Sequence, residues 1–106
     1  MYSEINSEEY QEQFESGNAG DYQLIDVRET DEFAAGHIPG TKNIPLSEFQ
    51  ERVDEISEGS PVILVCATGG RSGRAATFLA SMGYEDIYNH SDGTKGWIAK
   101  GYPAEQ

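Results

Sequence analysis

Hydrophobic positions fall in short clusters along the chain, and their spacing predicts strands alternating with helices. The clearest cluster is Val62-Ile63-Leu64-Val65-Cys66, a run with no polar position. Such a run lacks the alternation of a half-exposed strand, so it reads as a central strand covered on both faces. Beyond it, Ala75, Ala76, Leu79 and Met82 recur at helical spacing. A helix is therefore expected from Arg71 or Ser72 to Met82, stopped by Gly83.

The rest of the chain repeats this pattern at smaller scale. Tyr2 to Ile5 predicts a short edge strand. Ser7 is expected to cap a helix over Glu8 to Phe14, with Ile5 stapled onto Tyr10 or Gln11. Ser16 to Asp21 reads as a turn-rich loop, and Tyr22 to Val27 as a strand with Leu24, Ile25 and Val27 in the core. Thr30 is expected to cap a short helix over Asp31 to Ala35, before a sharp turn at Gly36-His37-Ile38-Pro39-Gly40. A strand follows at Thr41 to Ile44. A helix then runs from the Leu46-Ser47-Glu48-Phe49 staple and cap to about Ile56, with Phe49, Val53 and Ile56 inward. After Gly83 come a turn to Asp86, a strand over Ile87 to Asn89, a loop at Ser91 to Thr94, and a helix across Lys95 to Lys100 around Trp97. Strands alternating with helices imply an α/β sandwich: a mostly parallel sheet of about five strands flanked by helices. The 106 residues suit one domain over 1–106, with no internal repeat or linker.

Composition narrows the function. The net charge of −12 disfavours nucleic acid and acidic membrane surfaces, which need a basic face. No apolar run approaches the roughly 20 residues that cross a bilayer. The opening Met1-Tyr2-Ser3-Glu4 is polar and acidic, and a single cysteine forms no internal disulfide; both fit a reducing cytoplasm. The carboxylate excess fits either a high-salt organism or an ordinary acidic protein.

The chemistry centres on that one cysteine. Cys66 leaves a strand and faces the start of a helix across Ala67-Thr68-Gly69-Gly70, whose side chains are small enough to let peptide N–H groups turn inward. Unpaired amides and the positive end of a helix dipole make an anion cradle, here for the cysteine's own thiolate. A helix N-terminus lowers a cysteine pKa from about 8.5, so Cys66 is expected to be largely thiolate at neutral pH. The donors would be the N–H groups from Ala67 to Ser72, with the Thr68 hydroxyl at the rim and Arg71 bracing the loop. Arg74 and Lys95 are candidates to attract an anion, though Arg74 reads equally well as a solvated helix residue. In a parallel sheet the strand ends share one edge, which places Asp26 and Arg28 beside Cys66. Asp26 then either holds an arginine or amides of the cysteine loop, or caps the following helix. His37 and His90 have no partner at ligand spacing, so no metal site is expected, and His37 reads as a hydrogen-bonding turn residue.

The segment Cys66-Ala67-Thr68-Gly69-Gly70-Arg71, C-x-x-G-x-R, resembles the active-site loop of rhodanese-type sulfurtransferases. Three more segments resemble the family in order. They are Leu24 to Glu29, Glu32 to Leu46 with its Gly36-His37-Ile38-Pro39-Gly40, and the tail with Gly93-Thr94-Lys95-Gly96-Trp97 and Gly101-Tyr102-Pro103. The chain departs from the family at Ser91-Asp92-Gly93, where two glycines are usual, so Asp92 is expected to narrow or acidify the mouth of the site. The resemblance implies a rhodanese-like three-layer sandwich and a persulfide on Cys66. It also implies a small anionic sulfur donor such as thiosulfate, a thiol or cyanide acceptor, and no cofactor. A persulfide relay between a protein donor and a protein acceptor uses the same chemistry. A cysteine phosphatase fits less well: its loop is C-x5-R, and the corresponding position here is Ser72.

Overall fold

The computed structural model describes residues 1–16 and 20–106. Five parallel strands form one sheet in the order β1-β5-β4-β2-β3. They are β1 (Ser3–Ile5), β2 (Gln23–Asp26), β3 (Lys42–Asn43), β4 (Val62–Val65) and β5 (Ile87–His90). The helices are α1 (Ser7–Tyr10, continued by a π-helical turn Gln11–Glu15), α2 (Thr30–Ala35), α3 (Leu46–Phe49), α4 (Gly70–Ser81) and α5 (Gly93–Ala99). Part of the turn expected over Ser16 to Asp21 lies outside the described residues.

The all-apolar run Val62 to Cys66 is the middle of the sheet, as its composition demands. Alternate side chains go to opposite faces. Val62, Leu64 and Cys66 join Phe49, Val53, Ile56, Ala75, Ala76 and Leu79 in one core. Ile63 and Val65 join Ile5, Tyr10, Phe14 and Trp97 in the other. Helices thus cover both faces, and the sandwich has three layers.

Several helix ends differ from expectation, each for a local reason. Asn6, not Ser7, caps α1: its side chain accepts from the Glu9 amide, and Glu9 returns a bond to the Asn6 N–H, both at 2.8 Å. Glu29, not Thr30, stands before α2, its N–H bonded to Glu32 Oε1 at 3.0 Å. Ser47 makes no cap; Pro45 precedes α3, and Ser47 reaches the Glu29 carboxylate instead. The helix expected to run to Ile56 breaks after Phe49 and resumes as a 3-10 turn, Val53–Glu55, yet Phe49, Val53 and Ile56 are all buried. Met82 is 49% exposed rather than inward, because the chain leaves α4 there and Gly83 turns it at φ +95°. Tyr84 fills that side of the core and donates its hydroxyl to the Ile56 carbonyl at 2.6 Å. The last helix starts at Gly93, two residues before the expected Lys95.

Candidate active site

Cys66 follows directly on β4 at the carboxyl edge of the sheet, with only 1% of its surface exposed. Its chain neighbours then reverse direction to enter α4, with Gly69 in the left-handed region at φ +101°. A side chain at Gly69 would be strained there and would also press on the Ser91 carbonyl at 3.0 Å. The start of α5 holds the other side of the turn. The Thr94 N–H donates to the Cys66 carbonyl at 2.8 Å, and the Lys95 N–H to the Ala67 carbonyl at 3.1 Å. With these carbonyls turned toward α5, the Gly69 N–H points at the cysteine Sγ at 3.0 Å, and the Ser72 hydroxyl lies 3.3 Å from it.

The sulfur therefore has two unlike sides: hydrocarbon of the core on one and hydrogen-bond donors on the other. Burial pushes the Cys66 thiol up. The Ser72 hydroxyl and the amides of Ser72, Thr68 and Gly69 outweigh that, and the net shift is downward. Stabilising hydrogen bonds to the charged form act in this direction in general.

Of the residues singled out from sequence, Cys66, Thr68, Gly69 and Ser72 converge on the sulfur. Ala67 contributes its carbonyl to α5, and Gly70 opens α4. The Arg71 side chain turns outward and grips Glu32 on α2 through two bonds, at 2.7 and 2.9 Å. Hydrogen bonding to Arg71 holds the Glu32 carboxyl at about 2 against its partial burial, and the Arg71 guanidinium is shifted up in turn. Arg74 lines a groove of about 440 Å³ that the cysteine loop itself borders through Thr68, Gly69 and Gly70, along with Glu4 and Asn89. Among the described residues Arg74 and Lys95 form no ion pair, and both are exposed.

Asp26 is fully buried, but the arginine it holds is not in the cysteine loop. Its carboxylate takes Nε and Nη2 of Arg28 at 2.8–3.0 Å, plus the Arg28 N–H at 2.9 Å. Arg28 in turn donates to the Gly36 carbonyl at 2.7 Å. The pair ties the end of β2 to the end of α2, and Asp26 caps no helix. Asp92 also differs from expectation. It does not face the mouth: it accepts from the Ser7 N–H and from Lys100, each at 2.8 Å. Burial raises its carboxyl, but Lys100 and the Ser7 amide more than offset this and hold it at about 2. His37 makes hydrogen bonds, as its position suggested, but it sits in an isolated antiparallel bridge with Glu105 and the turn itself falls at Pro39-Gly40; its ring stacks on Phe33 at 3.7 Å, and its Nδ1 bonds the Phe33 carbonyl.

Two participants escaped the sequence reading. Glu32 lies within one of the resembling segments, but nothing in its spacing from Arg71 signals a contact. Asn89 occupies an inward position of β5, where its 4% exposure is unusual for a polar residue. A polar residue inside a strand pattern is the signal that could have marked it.

The chain matches the Rhodanese-like domain family over residues 6–100. It is 51% identical over 78 residues to the uncharacterized protein YqhL of Bacillus subtilis; the match covers 74% of this chain and 62% of YqhL, less than two thirds of that relative. It is 33% identical over 82 residues to thiosulfate sulfurtransferase GlpE of Pseudomonas putida, covering 77% of this chain and 74% of that one. Among solved structures, a rhodanese-related protein from Thermoplasma volcanium superposes with a TM-score of 0.86 at 33% identity, covering 98% of each chain. With this domain match over most of its length, the chain belongs to the Rhodanese-like domain family.

Proposed function

We propose that this protein is a sulfurtransferase that carries a sulfane sulfur on Cys66. The Cys66 thiolate attacks the outer sulfur of thiosulfate. A sulfur–sulfur bond forms, the donor's own sulfur–sulfur bond breaks, and sulfite leaves with the electron pair. The negative charge then sits on the outer sulfur of the persulfide. A thiophilic acceptor, cyanide in the assay or a thiol in the cell, attacks that sulfur and regenerates the thiolate. One nucleophile and two half-reactions give ping-pong kinetics. The steps as written use no metal or organic cofactor.

The observation that carries this reading is the pair of donors on Sγ, the Gly69 amide at 3.0 Å and the Ser72 hydroxyl at 3.3 Å. The Gly69 amide is held by the backbone before the reaction and so costs no reorganisation when charge develops. Cys66 is 1% exposed, so access for a donor requires local movement around the residue. Arg74 and Lys95 supply local positive charge against the acidic whole, since screening limits the net field to about 8 Å at physiological salt.

Intact mass after incubation with thiosulfate tests the reading. The wild type is expected to gain one sulfur, lost again on adding cyanide, and Cys66→Ser to gain none. No gain in the wild type, with a gain when a protein persulfide is offered instead, would replace thiosulfate by a protein donor.

A further inference from the structure

The Ser72 hydroxyl carries one proton, and two acceptors compete for it. One is the cysteine sulfur; the other is Oδ1 of Asn89 on β5, in hydrogen-bond contact with Ser72 Oγ. The orientation of the Asn89 amide is not free. Its Nδ2 faces the Glu4 carboxylate at 3.0 and 3.1 Å and the Gly69 carbonyl at 3.1 Å, all of which only accept. The amino group must therefore lie on that side, and Oδ1, which can only accept, must face Ser72.

We propose that Asn89 is a positioning residue that holds the Ser72 proton away from the cysteine sulfur whenever that sulfur carries no charge. With Cys66 as a thiol, the chain of donors is complete: S–H to Ser72, Ser72 to Asn89, Asn89 to Glu4. With Cys66 as a bare thiolate, the Ser72 hydroxyl turns to the sulfur, and Oδ1 is left against an oxygen with no proton between them. Leaving a buried acceptor unpaired is costly. In the persulfide the charge has moved to the outer sulfur, so the proton can return to Asn89. The network thus disfavours the bare thiolate relative to the states before and after it, which makes that thiolate a readier nucleophile. This rests on Cys66 being the nucleophile.

Of the other charged groups on the elements packed around the loop, three carboxylates are ion-paired. Asp26 pairs with Arg28, Glu32 with Arg71, and Asp92 with Lys100. Arg74 of α4 and Lys95 of α5 are exposed, and His90 of β5 accepts from the Gly93 N–H through Nδ1. Glu4 on β1 is the charged side chain that bonds Asn89.

The test is the pH profile of Cys66 alkylation by iodoacetamide, which needs no sulfur transfer and so stands apart from the fate of the proposed reaction. Asn89→Leu removes the competing acceptor. Its alkylation midpoint is expected to fall by about one pH unit, a tenfold gain in thiolate. Asn89→Ser, too short to bridge to Ser72, is expected to shift the same way and serves if the leucine variant does not fold. Ser72→Ala is expected to raise the midpoint, and Asn89→Leu added to Ser72→Ala to change it no further. Asn89 also steadies Gly69, so a purely structural role predicts the opposite sign. A rise or no change in the Asn89 variants overturns the proposal, as does an equal fall in the Ser72→Ala background.

Discussion

Arg71 and Glu32 stand 39 residues apart and meet in a two-pronged ion pair that ties the cysteine loop to α2. Both side chains are about one third exposed, so solvent screens the pair and its contribution to stability is modest, about 0.2–1 kcal/mol. Its expected role is to place the loop. Glu32→Gln is expected to shift the urea midpoint only slightly while slowing thiocyanate formation at least several-fold. A loss of activity matched by an equal loss of folded protein would reduce the pair to a structural tie.

The lowered Cys66 value couples charge to folding. A group whose value is depressed in the folded state adds stability above its unfolded value and loses it as the pH falls through the folded one. The unfolded thiol titrates near about 8.5. Wild-type stability is therefore expected to gain on Cys66→Ser as the pH rises from below the folded value to about 9. Urea unfolding of both proteins across that range measures it; parallel curves would show that the thiol is not shifted.

Gly93 carries a stricter demand than its neighbours. Its φ is +69°, and a methyl group there would overlap the Ala67 carbonyl. Gly93→Ala is expected to cost about 1–3 kcal/mol in strain, and to slow Cys66 alkylation at neutral pH by displacing the loop. Unfolding and alkylation rates on the same sample check both effects.

Asp92 joins α1, the start of α5 and Lys100, with its carboxyl held at about 2. An ordinary aspartate in the unfolded chain titrates near about 3.9. The stability from this carboxylate is thus fully present above about pH 4 and is lost as the pH falls toward 2. Asp92→Asn is expected to be less stable than wild type at pH 6, with the gap closing in acid. A gap that stays constant with pH would mean the charge on Asp92 is not what matters.

Much of this protein was legible in one dimension. The unbroken apolar run at Val62 to Cys66 could only be a doubly covered strand, and the spacing of Ala75, Ala76 and Leu79 marked the helix behind it. Burial of Phe49, Val53 and Ile56 survived even where the helix joining them did not, because side-chain periodicity follows the core more closely than it follows hydrogen bonding. The loop of small residues between Cys66 and Arg71 announced an anion cradle, since only a turn with little side-chain bulk lets amides point at one atom.

What the chain order could not decide was which polar groups meet across the sheet. Asp26 was placed at the right edge, but its partner Arg28 was settled by how β2 turns into α2. Asp92 sat in the right loop but pointed toward Ser7 and Lys100. Glu32 and Asn89 came to the site from distant stretches, brought there by the crossover order β1-β5-β4-β2-β3. Hydrophobic pattern is a local property with a fixed period, so sequence determines it. Hydrogen bonds and ion pairs depend on separations of about 3 Å between separate elements, held to within a few tenths of an ångström, and only the packed fold sets those.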